Sequence, residues 1–379
     1  VMKAQQQAEA LRTKSAAGAM SLNWHSAGPD NYTGRVWSVI YDNTDQTGNN
    51  LISGALCGGI WKSADLGLTW QQMPVENNIV PSVSSLVQTS DGKIYAATGI
   101  FAAHEILYPG QGIFTSQNGS AFSLIPGTDN NADFTGIIKL AVDKNNRLFA
   151  ATYGGLYYSE NGTTWTKIKS GIASDVCVGS DGTILAAVDN NVYLALAGDI
   201  STWTTLTTGA ANALPNAGIS WITFAIAPSD VNVMYTSLTG TDGNLLDVYC
   251  STDKGATWSV IFPKNGYFEP YQGAGAYCNT MAVRLNDPYQ LYLGGALMWH
   301  GVRINNTGYY NWENVSSGLY SPWVTYSAPV AHHSYMFNPA NPTQIAVATD
   351  EGVSIGRILG DTIVFKTINK LMNTGEFVS

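Results

Sequence analysis

Seven aromatic residues recur along the chain at similar intervals, and each closes a turn rich in Ser, Asn, Asp and Gly. Successive members lie 38 to 55 residues apart, and they are Trp70, Phe122, Trp165, Trp203, Trp258, Trp312 and Phe365. Self-similarity with a period of roughly 20–50 residues is typical of repeat architectures, in which each unit packs mainly on its neighbours. The chain is therefore expected to fold as a series of similar units.

Each unit contains four short apolar runs separated by turn residues. In the first unit, the run GRVWSVIYD (34–42) is followed by the polar turn TDQTGNN (44–50) and by a second run, LISGALCGG (51–59). Four short strands repeated at this period indicate radial repetition rather than a sandwich. The sequence predicts an all-β fold, a β-propeller of about seven four-stranded blades. Eight blades, or one part of a larger multi-propeller protein, are the alternatives.

The first 20 residues differ from the rest of the chain. They are rich in Ala, Gln, Lys and Glu, which are good helix formers. We expect a short helical arm over residues 1–20 and the propeller over residues 21–379. The segment NWHSAGP (23–29) resembles the last strand of a blade, so residues 22–27 are expected to pair with the C-terminal end. The first 20 residues contain no apolar segment of the kind found in signal peptides. No stretch of the chain is expected to be long and apolar enough to cross a membrane.

Charged residues make up only 12% of the chain, against about 25% in ordinary soluble domains. With a formal net charge of −9, the protein is not expected to bind nucleic acid. A surface of Gly, Asn, Ser and Thr suits a secreted or cell-surface protein. The chain has four cysteines, none of which has the spacing of metal ligands: Cys57, Cys177, Cys250 and Cys278. The sequence leaves two alternatives open, four free thiols or one disulfide.

Two turns share the pattern S-x-D-x-G-x-T-W. They are SADLGLTW, with Ser63, Asp65, Gly67 and Trp70, and STDKGATW, with Ser251, Asp253, Gly255 and Trp258. An aspartate in a turn accepts hydrogen bonds from nearby backbone N–H groups, and glycine supplies a positive φ. The tryptophan is expected to bury its ring against the sheet. We therefore predict that Asp65 and Asp253 are structural and are not available for acid–base chemistry.

These turns resemble the Asp-box, or BNR repeat, and SENGTTW (159–165) and SQNGSAF (116–122) resemble shortened copies. Asp-boxes occur in sialidases, two-propeller xyloglucanases, sortilin-type receptor domains and photosystem assembly factors. The segments 23–42, 277–299 and 328–355 are similar to blades in the first propeller of large secreted BNR-repeat proteins of Bacteroidetes. This resemblance implies an extracellular propeller, and because the shared motifs are structural it leaves the function open.

The enzyme alternatives depend on charged residues that the sequence does not bring together. A sialidase needs three arginines around a carboxylate, and no such clamp is visible. A xyloglucanase-like glycoside hydrolase needs two carboxylates across a cleft, for which Glu105 and Glu269 are weak candidates. Such a hydrolase is the alternative to a binding or scaffold role.

No cofactor is predicted, and no metal site is evident from ligand spacing. The adjacent His332 and His333 should point to opposite faces of a strand, so that at most one enters a site. His333 and Asp350 are expected to meet as a hydrogen-bonded pair rather than as metal ligands. The turn TDNNAD (128–133) could hold a structural calcium ion.

Long loops rich in aromatic residues are the candidate ligand site. In a propeller, the Asp-box turns lie on one rim, and the loops between blades lie on the other. The stretches 263–277 and 316–333 join consecutive units and should be neighbours, and the stretch 99–112 adds His104 and Glu105. Aromatic faces suit stacking on sugar rings or binding of a peptide. The predicted ligand-binding residues are Tyr267, Tyr271, Trp299, Tyr320 and Trp323, with a glycan or an extracellular protein or peptide as partner.

Overall fold

Seven four-stranded antiparallel sheets form the protein, as the sequence predicts. This computed structural model describes residues 33–102, 104–207, 213–261, 268–304, 308–316, 330–360, 362–372 and 374. The helical arm expected over residues 1–20 and the strand expected near residues 22–27 lie outside them. Among the described residues, no helix is long and apolar enough to span a membrane.

Each blade is built from strands that follow one another along the chain. Blade 1 contains β1 (Val36–Tyr41), β2 (Leu51–Ala55), β3 (Gly59–Ser63) and β4 (Gln71–Gln72). Blade 2 contains β5 (Val83–Gln88), β6 (Lys93–Thr98), β9 (Ile113–Gln117) and β10 (Ser123–Leu124), and an inserted hairpin of β7 (Ile100–Ala102) and β8 (Glu105–Tyr108) interrupts it. Blade 3 contains β11 (Ile137–Val142), β12 (Leu148–Thr152), β13 (Gly155–Ser159) and β14 (Thr166–Ser170).

The remaining four blades follow the same order. Blade 4 contains β15 (Ala173–Val178), β16 (Ile184–Val188), β17 (Asn191–Ala195) and β18 (Thr204–Thr205). Blade 5 contains β19 (Ile219–Ile226), β20 (Met234–Gly240), β21 (Leu245–Ser251) and β22 (Ser259–Val260). Blade 6 contains β23 (Thr280–Val283), β24 (Gln290–Gly294), β25 (Met298–Arg303) and β26 (Tyr310–Asn314). Blade 7 contains β27 (His332–Asn338), β28 (Asn341–Thr349), β29 (Gly352–Leu359) and β30 (Thr362–Thr367), and short 3-10 turns occur at Glu76–Asn78, Ala132–Thr135 and Leu196–Gly198.

All seven periodic aromatic residues lie at or just before a fourth strand. Trp70 and Trp258 directly precede β4 and β22, whereas Trp312 and Phe365 lie within β26 and β30. Trp70 and Trp258 are buried in clusters formed with the neighbouring blade. The period therefore marks the outer strand of each blade, because its aromatic ring fills the gap between two sheets.

The first strands of the blades form a closed ring around a central channel. Strands β1, β5, β11, β15, β19, β23 and β27 contact one another in that order, and β27 contacts β1. The apolar cores lie between successive blades, and one of them joins Val39 and Trp61 of blade 1 to Ala346 and Ile355 of blade 7. Blades 1 and 7 therefore close the ring by side-chain packing.

Residues after β30 also pack on blade 1. The Trp70 indole nitrogen donates to the Ile368 carbonyl oxygen at 2.5 Å, and the Gly34 amide donates to Thr374 Oγ1 at 2.7 Å.

The four cysteines are free thiols, which resolves the question that the sequence left open.

The two rims of the ring are distinguished by the turns and connections that lie on them. In blade 1 the Leu66 amide, in the turn between β3 and β4, donates to the Asn49 carbonyl in the turn between β1 and β2, so these turns share one rim. We call this the Asp-turn rim. The inserted hairpin and the connections between blades belong to the opposite rim, where the first strands begin.

Candidate functional site

The two Asp-turns have the same hydrogen-bond pattern. Ser251 Oγ donates to Asp253 Oδ1 at 2.8 Å, and Asp253 also accepts from the amide and the hydroxyl of Thr257. Ser251 Oγ itself accepts from the Gly255 amide at 2.8 Å. Ser63, Asp65, Gly67 and Thr69 repeat each of these bonds.

Both turns carry a glycine in the left-handed region, with φ of 81° at Gly67 and 84° at Gly255. Hydrogen bonds to Thr257 and Ser251 outweigh the effect of burial and lower the pKa of Asp253. The carboxylate therefore remains ionised and is occupied by the turn.

A bulge at the start of the first strand directs residues toward the channel. In six blades the register shifts between the first and third residues of this strand, as between Val36 and Ser38 or between His332 and Ser334. Bulges at strand ends re-aim side chains. Both residues after the first consequently line the channel in five blades: Trp37 and Ser38, Ser84 and Ser85, Ile138 and Lys139, Ser174 and Asp175, His333 and Ser334.

The channel widens into a cavity of about 160 Å³ on the rim opposite the Asp-turns. We call this cavity the mouth. A second cavity of about 290 Å³ lies toward the Asp-turn rim, lined mainly by apolar residues such as Ile40, Leu86 and Met336. Five residues line both cavities and define the waist between them: Ser38, Ser85, Lys139, Ser334 and Tyr335.

One wall of the mouth is an aromatic cluster from blades 1 and 7 and the loop before blade 6. The rings of Trp37 and His333 stack with centroids 3.8 Å apart, and Tyr277 meets both edge-on at 5.3 and 5.2 Å. Asp350 anchors the cluster, because His333 Nε2 lies 2.8 Å from its Oδ1 and the Tyr277 hydroxyl donates to it at 3.0 Å. The pairing of His333 with Asp350 is thus as the sequence predicted.

The same contacts set the protonation states of this wall. Burial lowers the pKa of His333, although Asp350 acts in the opposite direction, so the ring is neutral near pH 7. Burial and the neighbouring Asp350 charge raise the pKa of Tyr277. The guanidinium of Arg35 lies 3.7 Å from Asp350 and compensates its charge. No group of three or more potential metal ligands occurs in the described part of the chain.

The opposite wall is made by the inserted hairpin and blade 5. Phe101 of β7 stacks near Tyr153 and Trp221, with ring centroids 6.0 and 6.3 Å away. Since Phe101 comes from blade 2 and Trp221 from blade 5, the hairpin reaches across part of the mouth. His104 lies at its turn and contacts Trp221 edge-on at 6.5 Å.

Lys139 and Asp175 form an ion pair at the waist, with Nζ 2.6 Å from Oδ1. Asp175 is 1% exposed, and its other oxygen accepts from the Phe224 amide at 2.8 Å. The Lys139 side chain is 38% exposed and lines both cavities. Burial within the channel opposes its charge, but the Asp175 carboxylate raises its pKa, so Lys139 is an ammonium.

Of the predicted ligand-binding aromatics, the two that the structure describes, Tyr271 and Trp299, do not line the mouth. Tyr267, Tyr320 and Trp323 lie outside the described residues. Tyr271, predicted as a ligand contact, is 0% exposed in this structure, and its hydroxyl bonds Ser237 and Asn279 at 2.8 Å. Trp299 is half-buried in blade 6 against Phe268, with ring centroids 4.7 Å apart.

The two candidate carboxylates have different surroundings. Glu269 accepts from the backbone amides of Leu245, Tyr271 and Gln272, so that it organises its own loop. Glu105 is exposed on β8 of the inserted hairpin, on the rim of the mouth.

Four residues of the mouth and waist were not predicted from the sequence: Trp37, Phe101, Lys139 and Trp221. The signal that could have found Trp37 and Lys139 is the alignment of the first run of every unit, in which both follow its first buried residue. Trp221 is the third residue of its strand and so matches Lys139, whereas Trp37 is the second residue of its strand.

Comparison with known proteins agrees with this architecture. The family described as the DUF6242 beta propeller domain matches residues 111–243. No curated protein matches the chain by sequence.

Three solved structures show how broadly the fold is shared. An ancestral GH74 enzyme has a TM-score of 0.68 and 17% identity, over 92% of this chain and 48% of that one. YCF48 bound to D1 peptide has a TM-score of 0.56 and 13% identity, over 89% of this chain and 98% of that one. PorZ, a surface component of the type-IX secretion system of Porphyromonas gingivalis, has a TM-score of 0.53 and 12% identity, over 88% of this chain and 38% of that one.

These similarities define the chain as a seven-bladed β-propeller, the class that its fold and its channel show. At such identities the likeness extends to the fold alone. The chain spans about half the length of the GH74 enzymes that it matches.

Proposed function

We propose that this chain is the binding module of a secreted or cell-surface protein and that its ligand, a carbohydrate or a protein segment, enters the mouth of the channel. The observation that carries the proposal is the pair of aromatic walls, Trp37 with His333 and Tyr277 on one side and Phe101 with Trp221 on the other. A concave site lined by aromatic rings and a few polar groups is the usual form of a ligand site.

Surface charge and composition support an extracellular partner. The low charged fraction and the net charge of −9 disfavour polyanionic ligands, and the resemblance to secreted BNR-repeat proteins points the same way. Sortilin-like and Bacteroidetes surface proteins are the family context in which we place this role.

A glycan array and a peptide array, each screened with the wild type and with Trp37→Ala, test the proposal. A ligand that binds at the mouth should lose roughly tenfold or more in affinity for the variant, the usual effect of removing an aromatic anchor. Tyr309→Ala is the matched control, because Tyr309 is 75% exposed in the turn between β25 and β26 on the Asp-turn rim. Binding that is equally strong in Trp37→Ala would place the ligand elsewhere and contradict the proposal.

Glycoside hydrolysis is the second candidate, favoured by the exposed Glu105 on the hairpin beside the mouth. Its test is hydrolysis of any glycan that the array identifies. Turnover that is lost in Glu105→Gln while glycan binding persists would establish the enzyme; binding without turnover by the wild type would favour the binding module. Glu269→Gln is the weaker probe, since this carboxylate accepts three backbone amides and its loss also disturbs the loop.

A further inference from the structure

The waist of the channel presents one exposed charge among the described residues that line the two cavities. Lys139 is 38% exposed, whereas its partner Asp175 is 1% exposed and bonds the Phe224 amide. The geometry therefore places the ammonium toward the channel and the carboxylate toward the protein. An ammonium has three N–H donors, and Asp175 meets this ammonium as an ion-pair partner.

Hydroxyl groups beside Lys139 add further donors. Ser38 Oγ accepts from the Leu86 amide at 3.0 Å, and Ser85 Oγ accepts from the Leu140 amide at 3.0 Å. A hydroxyl that accepts a backbone N–H still has its own hydrogen to donate. Donors thus exceed acceptors at the waist, and this excess suits a ligand group that only accepts hydrogen bonds.

The carboxylates near the channel do not offer an equivalent site for a cation. Asp175 is buried behind Lys139, and Asp350 is held by His333, Tyr277 and Arg35. The lining above the waist is aromatic, with Trp37 half-buried and Trp221 7% exposed, and aromatic lining suits a flat or ring-shaped group.

We propose that the ligand group entering the mouth is a ring bearing a carboxylate, with the ring between the walls of Trp37 and Trp221 and the carboxylate on Lys139 at the waist. This inference rests on the proposed binding function and names its ligand chemistry. Two sources share that chemistry: an aromatic amino acid with a free carboxylate, as at the end of a peptide, and a uronic acid in a glycan.

Matched probe pairs separate charge from ring and one source from the other. The aromatic pair is N-acetyltryptophan and N-acetyltryptophanamide, and the sugar pair is glucuronate and glucose. Each is titrated into protein with labelled tryptophan, and the indole resonances of Trp37 and Trp221 report binding at the mouth. The wild type should bind the charged member of one pair at least about tenfold more tightly than the neutral member, as expected for a charge-assisted hydrogen bond.

Variants of Lys139 test the assignment of the charge. Lys139→Gln keeps an amide donor for Asp175 and should remove most of the preference for the carboxylate, whereas Lys139→Arg should retain it. Lys167→Gln is the control, because Lys167 forms a similar pair with Asp133 at 2.5 Å and its side chain is 37% exposed on the outer strand of the same blade. It should leave the preference unchanged.

The outcomes distinguish this inference from the proposed function. Equal binding of charged and neutral members, with loss of both in Trp37→Ala, would overturn the carboxylate assignment and leave the binding module standing. Probes that leave the Trp37 and Trp221 resonances unchanged would also overturn the carboxylate assignment, whereas the binding module itself fails only if the glycan and peptide arrays yield no ligand that depends on Trp37. The comparison of probes in the wild type requires no variant, so it holds even if Lys139→Gln folds poorly.

Discussion

Trp37 and His333, which belong to the first and the last blade, stack with their ring centroids 3.8 Å apart and their planes 15° apart. The seam of the ring is thus also one wall of the mouth. Because Asp350 bonds His333 and Tyr277, a single carboxylate holds both rings against Trp37. The orientation of this wall therefore depends on how blade 7 packs on blade 1.

Acid should lower the stability of the folded protein, because His333 is buried in its neutral form. Burial lowers the pKa of this imidazole below its ordinary value of 6.5, so the unfolded chain takes up the proton at a higher pH than the folded one. The stability due to neutral His333 is present above about pH 6.5 and is lost as the pH falls through the folded pKa. Thermal melting of the wild type between pH 7 and pH 5 should show this loss, and His333→Gln should show a shallower slope. Parallel melting curves would contradict the assignment.

The serine of an Asp-turn should matter more for stability than its aspartate. Ser251 is 1% exposed and accepts the buried Gly255 amide, whereas Asp253 is exposed, so that water can replace its bonds. We expect Ser251→Ala to cost about 1–3 kcal/mol of unfolding free energy and Asp253→Ala about 1 kcal/mol or less. Denaturant unfolding measures both. Ligand binding at the mouth should survive in the folded fraction of each variant, and a stable Asp253→Ala protein that had lost binding would refute the structural role.

Tyr271 should behave as a core residue. Its buried hydroxyl bonds Ser237 and Asn279, so Tyr271→Phe leaves their polar atoms with fewer partners. The expected loss is about 1 kcal/mol of unfolding free energy, without a change in affinity for probes of the mouth. A drop in affinity at unchanged stability would restore Tyr271 as a ligand contact.

The base of the inserted hairpin should not tolerate a side chain at Gly99. This glycine has a φ of 91°, and a Cβ atom there would meet the carbonyl oxygen of Thr135 and the backbone of Gly110. Gly99→Ala should cost about 1–3 kcal/mol and weaken binding at the mouth, because it displaces Phe101 from Trp221. Gly127→Ala is the control, since Gly127 has a φ of 86° with open space around it. Equal melting temperatures for the two variants would show that the contact at Gly99 has no effect.

The architecture could be predicted from the sequence because it depends on local, repeated chemistry. Trp70 and Trp258 each follow a turn whose residues hydrogen-bond one another, so the residue types of these turns make the period visible in the sequence. The hairpin Ile100–Tyr108 was not predicted as strands, because it occurs in one blade only and has no repeated signal.

The site was harder to predict because it depends on which blades meet. Phe101 and Trp221 are 120 residues apart in the sequence, and only the closed ring of blades brings them together. Conversely, Tyr271 was predicted to bind the ligand because aromatic residues in long loops resemble contact residues. Tyr271 is buried because its hydroxyl bonds Ser237 and Asn279. These bonds could not be predicted from the residue types of Ser237 and Asn279.

The bond from the Trp70 indole to the Ile368 carbonyl has a consequence for synthesis at the ribosome. Because translation proceeds from the N-terminus, Trp70 is made long before its hydrogen-bond acceptor, the Ile368 carbonyl, which is translated 298 residues later. Until then blade 1 lacks the apolar neighbour that blade 7 supplies. While blades 2 to 6 are being translated, the apolar flank of blade 1 therefore stays uncovered, and synthesis of blade 7 supplies the residues that cover it.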